Sequence, residues 1–109
     1  MMLNFPQSID SLVRLAIQQK RIVEMRYNGQ SRVVEPHDFG MQRGIARLLV
    51  YQLRTSAFAG PHAVGWRLFD IRKIKALTIL DARFKGSRAA SNQHHHSWDV
   101  VFARVEKGA

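Results

Sequence analysis

"RIVEMRYNGQSRVVEP", residues 21–36, is where the period of the chain changes. Val23, Met25 and Tyr27 alternate with Ile22, Glu24 and Arg26; Asn28-Gly29 interrupts, and the run restarts at Arg32-Val33-Val34. Alternation on both sides of Asn-Gly is the strongest short signal for a β-hairpin, because both turn positions need positive φ. Pro36 has no N–H to donate, so it is expected to stop regular pairing or to lie at an edge. "FGMQRG", 39–44, reads as the next turn.

Upstream the period is helical. In "PQSIDSLVRLAIQQK", 6–20, Ile9, Leu12, Val13, Ala16 and Ile17 make one apolar stripe, and Ser8 is the N-cap type. A helix of about 12 residues is marginal alone, so it is expected to lie on a sheet. Downstream, "IARLLVYQLR", 45–54, reads as a strand apolar on both faces. Ile45, Leu49, Tyr51 and Leu53 share one side with Arg47, and Leu48 and Val50 share the other with Gln52 and Arg54. Such a strand suits a barrel interior with a helix or a second subunit outside it. "TSAFAGPHAVG", 55–65, is a loop bending at Gly60-Pro61. "WRLFDI" and "KALTILDARF" are a fourth and a fifth strand. "KGSRAASNQHHHS" is small and polar, a linker or tail, and "WDVVFARV", 98–105, is apolar again and suits a short docking strand or helix. The expectation is mainly β: a small Sm-like or SH3-like five-stranded antiparallel barrel with an N-terminal helix over 1–85, and a C-terminal tail over 86–109. Pattern alone does not separate a Sm-like barrel from an OB-fold.

The charge points to a partner class. Seventeen Lys and Arg face eight Asp and Glu, a net +9, and twelve of the seventeen are Arg, the cation suited to bidentate phosphate contacts. That balance favours a polyanion: nucleic acid, an anionic membrane or an acidic protein. There is no cysteine, which excludes a disulfide scaffold, a thiolate zinc site and a Cys nucleophile, and fits a reducing cytoplasm. No signal peptide and no apolar run long enough to span a bilayer is expected, so the reading is cytoplasmic and not membrane-bound.

Four pieces, taken in order, resemble WYL domains, named for a Trp-Tyr-Leu tripeptide. "QQKRIVEMRYNG" is similar to their opening strand, and "RVVEPHDFG" to their basic and apolar residues before Glu-Pro-Tyr. "GIARLLVYQLR" sits where the tripeptide belongs, and "GWRLFDIRKIKALTILDARF" resembles the closing Arg-x-Phe, Arg-Ile and Leu-Asp-x-Phe series. Three departures stand out: the tripeptide becomes Ala46-Arg47-Leu48, His37 replaces the Tyr, and Lys73 replaces an Arg. The resemblance implies a Sm-like barrel acting as a regulatory ligand-binding module. Such modules occur in bacterial transcription regulators and CRISPR-associated proteins, and bind nucleic acids or nucleotides on a positive face. With no pair of helices for a helix-turn-helix, this chain resembles a stand-alone version, and a regulator or CRISPR effector becomes an expected partner.

The residues expected to carry binding are Arg47, Arg67, Lys73, His37, Arg54, Phe69 and Tyr51. Arg67, Phe69 and Lys73 match the closing motif. Arg67 and Phe69 are two apart, hence on one strand face about 7 Å apart, where a guanidinium grips phosphate and a ring stacks a base. Arg47 lies on the face of Tyr51 inside an apolar strand and must reach water, an anion or a carboxylate such as Glu24, Glu35 or Asp70. His37 offers a planar donor, and Arg26, Arg32 and Arg43 widen the positive field. The His94-His95-His96 run reads as a flexible tail, because adjacent side chains rarely converge on one ion. No metal or cofactor is expected. No phosphate loop, carboxylate pair or Gly-x-Ser-x-Gly elbow appears, and Ser31, Ser56, His37 and His62 suggest no nucleophile pair, so no enzyme activity is expected. Two other classes stay open: a protein-interaction module, by homodimerisation or effector docking, and a small-molecule sensor.

Overall fold

The computed structural model describes residues 8–88 and 97–108, so the expectation for His94-His95-His96 lies outside the described residues. The helix α1 (Ile9–Gln19) begins at Ser8, whose Oγ accepts the Ser11 N–H at 3.1 Å. It ends at Lys20, where a left-handed backbone (φ 55°) turns the N–H back onto the Ala16 and Ile17 carbonyls. Its buried side, Val13, Ala16 and Ile17, belongs to the expected stripe.

Six strands follow: β1 (Arg21–Tyr27), β2 (Gln30–Gln42), β3 (Ile45–Thr55), β4 (Gly65–Asp70), β5 (Lys75–Arg83) and β6 (Val100–Arg104). They form one antiparallel sheet in the order β4-β3-β2-β1-β5, with β6 paired to β2 off that path. The mainly β, antiparallel architecture with an N-terminal helix is as expected; the strand alternative holds for the C-terminal segment, so the strands number six and not five, and the sheet is not closed. "WDVVFARV" supplies a sixth strand, in which Val100, Val101, Ala103 and Arg104 pair with residues 38–41 of β2 and Phe102 lies at a register slip. The end strands β4 and β5 are joined by the 3-10 turn Ile71–Lys73 and share no ladder, so the sheet is open.

Asn28 and Gly29 take φ 51° and 75°, the left-handed pair that a two-residue hairpin needs. Arg43 and Gly44 repeat it at φ 51° and 77°, so the second turn is confined to those two residues. Phe39 and Met41, expected in that turn, are strand residues opposite Leu48 and Ala46.

Pro36 does not end a strand. It sits inside β2 opposite Val50, and the register slips between Pro36 and Asp38, leaving His37 as the extra, bulged residue. On the other edge, β2 pairs with β1 through residues 30–34 and with β6 through 38–41. Residues 35–37 pair with neither strand on that edge, which is where a residue lacking an N–H fits inside a long strand.

The core lies between α1 and the inner face of the curled sheet, where Val13, Met25, Val34, Phe39, Leu48 and Phe69 pack together. Leu49, on the opposite side of β3, is 1% exposed, so the middle of that strand is covered on both faces, while Ile45, Tyr51 and Leu53 on the Leu49 side are half-buried.

Gly40 fixes where β6 docks. A Cβ there would collide with the Val100 carbonyl oxygen and lie 2.8 Å from the Trp98 ring. Gly40→Ala is expected to destabilise the protein by ~1–3 kcal/mol, the range for overpacking a tight site. Amide exchange would be fastest in residues 100–104; an unchanged melting curve would contradict this docking.

Candidate nucleic-acid interface

The cations of residues 65–84 do not act together. Arg67 pairs in register with Val50, and Arg47 with Asp70, so by strand alternation the two point to opposite faces. Arg67 donates to the carbonyls of Trp66 and His62 at 2.9 and 2.8 Å, bracing the loop before β4. Its neighbour Arg32 bonds the Gln52 side chain and lies over the Tyr27 and Phe69 rings. Burial, and then the Arg67 charge, lower the Arg32 pKa. Phe69 is 2% exposed and stacked on Tyr27 at 4.1 Å, so it is a core ring and offers no face to a base. Arg54 is exposed near the end of β3.

Three other cations of that stretch do converge, whereas Arg83 lies away from them. Arg72, Lys73 and Lys75 meet Arg26 and the Asn28-Gly29 turn around a groove of about 480 Å³. Three local features build it. Asp70 caps the 3-10 turn by accepting the Arg72 N–H at 2.9 Å. The same carboxylate holds the Arg72 guanidinium at 3.1 and 2.8 Å. Ala76 then adopts φ 53°, a strained conformation for a residue with a Cβ, beside a register slip that sets Lys75 directly opposite Arg26. Arg26 Nη2 donates to the Gly29 carbonyl at 3.1 Å. Among the described residues no carboxylate pairs with Arg26, Lys73 or Lys75. The hydrogen bonds from Arg72 hold the Asp70 carboxyl well down, from an ordinary 3.8 to about 2.

His37 and Tyr51 belong to a second cluster on the outer face. His37 is 1% exposed. Its Nδ1 donates to the Glu35 carbonyl at 2.9 Å, and its Nε2 accepts the Arg88 N–H at 3.3 Å. Trp66 abuts both His37 and Tyr51 edge-on. Arg88 enters from beyond β5: its Nε and Nη2 donate to the buried Glu35 carboxylate at 2.6 and 3.0 Å, and its guanidinium lies 3.8 Å from the Tyr51 ring centre. The bonds to Glu35 raise the Arg88 pKa. Of the seven expected residues, then, Lys73 lies in the basic groove, His37 and Tyr51 lie in this cluster, and Arg47, Arg54, Arg67 and Phe69 lie in neither.

The sequence marks Arg72 and Lys75 as close neighbours of Lys73 within one basic stretch and Arg26 as part of the field, without assigning these three a site. The only local signal was the Asp-x-Arg turn cap of Asp70 and Arg72; Arg26 and Lys75 meet through the β1–β5 register. Arg88 stands among small polar residues with no periodic signal. Ser56 Oγ accepts the Ser31 N–H and His62 gives its carbonyl to Arg67, both structural uses. Among the described residues no group of three His, Asp or Glu gathers to hold a metal ion, and no helix is long and apolar enough to cross a membrane. Comparison of the chain with family models, curated proteins and solved structures finds no match.

The two ion pairs give separate predictions. A carboxyl whose pKa is lowered on folding stabilises above its unfolded pKa, and that contribution fades as pH falls through the folded one. Asp70 should therefore withdraw its support between about pH 4 and pH 2. Acid unfolding followed by circular dichroism should be shallower across that window for Asp70→Asn; parallel profiles would contradict the assignment. For the second pair, the Glu35 side chain is 7% exposed and that of Arg88 is 42%. Removing Arg88 strands a buried charge, whereas removing Glu35 leaves a cation that reaches water. Arg88→Ala should cost about 1–2 kcal/mol more than Glu35→Gln in denaturant unfolding; the reverse order would show the pair to be peripheral.

Proposed function

We propose that this protein is a nucleic-acid-binding accessory module that holds phosphates in the groove of Arg26, Arg72, Lys73 and Lys75. The observation that carries the reading is the pairing of Arg26 with Lys75 across β1 and β5. Like charges set directly opposite each other destabilise a sheet by roughly 0.2–1 kcal/mol. A bound anion turns that repulsion into attraction. Backbone phosphates supply affinity through such contacts. Single strands are favoured, because the groove lies between two tight turns and, among the described residues, no helix borders it to enter a duplex groove.

The finer architecture belongs to the same proposal. A helix followed by strands in the order β4-β3-β2-β1-β5, with β6 added on β2 and a 3-10 turn before β5, supports reading the sheet as an incompletely closed variant of the Sm-like barrel of the WYL kind. A regulatory role beside a transcription regulator or CRISPR effector in the cytoplasm goes with that reading, as does the absence of catalysis. A second reading, homodimerisation, rests on β6, whose Val100 and Val101 are 50% and 41% exposed.

Titration with single-stranded DNA and RNA and with duplex, at several salt concentrations, tests the first reading. Log K should fall with log salt at about 0.7 per neutralised phosphate on a single strand. Replacing Lys73 and Lys75 together by Glu should weaken binding by at least about tenfold, and Arg54→Glu by far less. Salt-independent binding, or equal losses from the two sets, would overturn the assignment. Light scattering that finds a dimer lost in Val100→Asp would favour the second reading instead.

A further inference from the structure

A second recess opens at the far end of β5, about 25 Å from Lys75 along a nine-residue strand. Its volume is about 600 Å³, the size of a small-molecule site. Ile22 and Phe84 give it apolar walls, and Arg83, Lys85, Ser87 and Arg88 line the rest, together with the buried Glu35. Phe84 is held by its backbone, whose N–H reaches the Lys20 carbonyl at 2.9 Å, and by its ring, stacked on His37 at 5.5 Å. Ser87 is tied to the C-terminal segment through its N–H and the Glu106 carbonyl at 2.9 Å. The lining is anchored before any ligand arrives.

Arg88 is the organised part of this recess. Glu35 takes its Nε and Nη2, and Tyr51 supports its flat face. That clamp fixes the plane of the guanidinium while its side chain stays 42% exposed. An arginine oriented by a buried carboxylate on one edge presents its remaining donors in a set direction. Arg83, Lys85 and Arg88 against Glu35 leave two positive charges in the lining.

We propose that this recess is a separate binding site for a small phosphate monoester bearing a flat apolar group. The dianion matches the two uncompensated charges, the outer Arg88 donors that Glu35 does not take and the Ser87 hydroxyl suit phosphate oxygens, and the Ile22 and Phe84 walls take the apolar group. The site is independent of the hairpin groove, which has no apolar wall.

The full chain, titrated by calorimetry with phenyl phosphate, inorganic phosphate and phenol, tests this. Phenyl phosphate should bind saturably and about tenfold tighter than inorganic phosphate, with phenol silent. Affinity should rise through pH of about 6, as the second phosphate proton leaves. Replacing Arg83 and Lys85 together by Ala should cost at least about tenfold, and both side chains are exposed, so the fold is expected to survive. Should that pair fail to fold, Lys85→Glu alone serves, with the same expected loss. The Lys73→Glu, Lys75→Glu protein should bind phenyl phosphate unchanged even if it no longer binds oligonucleotides. Phenyl phosphate binding no tighter than inorganic phosphate, or surviving loss of Arg83 and Lys85, would overturn the proposal. Loss of the signal in the Lys73→Glu, Lys75→Glu protein would assign it to the other groove.

Discussion

The bulge at His37 is the constraint on which the rest of this sheet depends. The long central strand β2 pairs with β3 along one edge, and its other edge serves two partners in succession. β1 takes residues 30–34 and β6 takes 38–41. That exchange needs a local break in register and a residue that leaves the ladder, and the Glu35-Pro36-His37 run supplies both. Pro36 removes a donor where no strand needs one. His37 leaves the pairing, and its ring reaches between Trp66, Phe84 and the Arg88 backbone. Its own carbonyl accepts the Val105 N–H at 2.8 Å, which ties the chain beyond β6 to the same point.

The arginines divide by the work they do. Arg88 and Arg104 each reach a buried carboxylate on β2, Glu35 and Asp38, from chain segments that join the sheet last. Burying a carboxylate is unfavourable without a hydrogen-bonded cation, so these pairs make the docking of the C-terminal segments conditional on their arginines. Arg67 and Arg32 support loops and rings. What remains for an external anion is smaller than the net +9 suggests and sits where the hairpin and 3-10 turns meet the paired ends of β1 and β5.

How far the sequence could be read follows from this division. The stripe in α1, the Asn28-Gly29 hairpin and the doubly apolar β3 were legible because each is a local pattern with one physical meaning. The path of β2 was not, since Pro36 reads locally as a stop and its tolerance depends on β1 ending and β6 beginning nearby. Nor could Arg47 and Arg67 be assigned to faces without the register of β3 against β4. Lys73 was found through a motif resemblance, and its groove partners Arg26 and Lys75 come together only through a slip in the β1–β5 register. Arg88 was out of reach, because its value comes from a carboxylate fifty-three positions away.

The central claim is that phosphate settles between the hairpin turn and the 3-10 turn. Amide shift mapping of the nitrogen-15-labelled protein with a short single-stranded oligonucleotide tests it most directly. The largest shifts are expected at Arg26, Asn28, Gly29, Arg72, Lys73 and Lys75, fading with added salt. Shifts centred on Arg47, Arg54 and Tyr51, with the hairpin turn undisturbed, would contradict it.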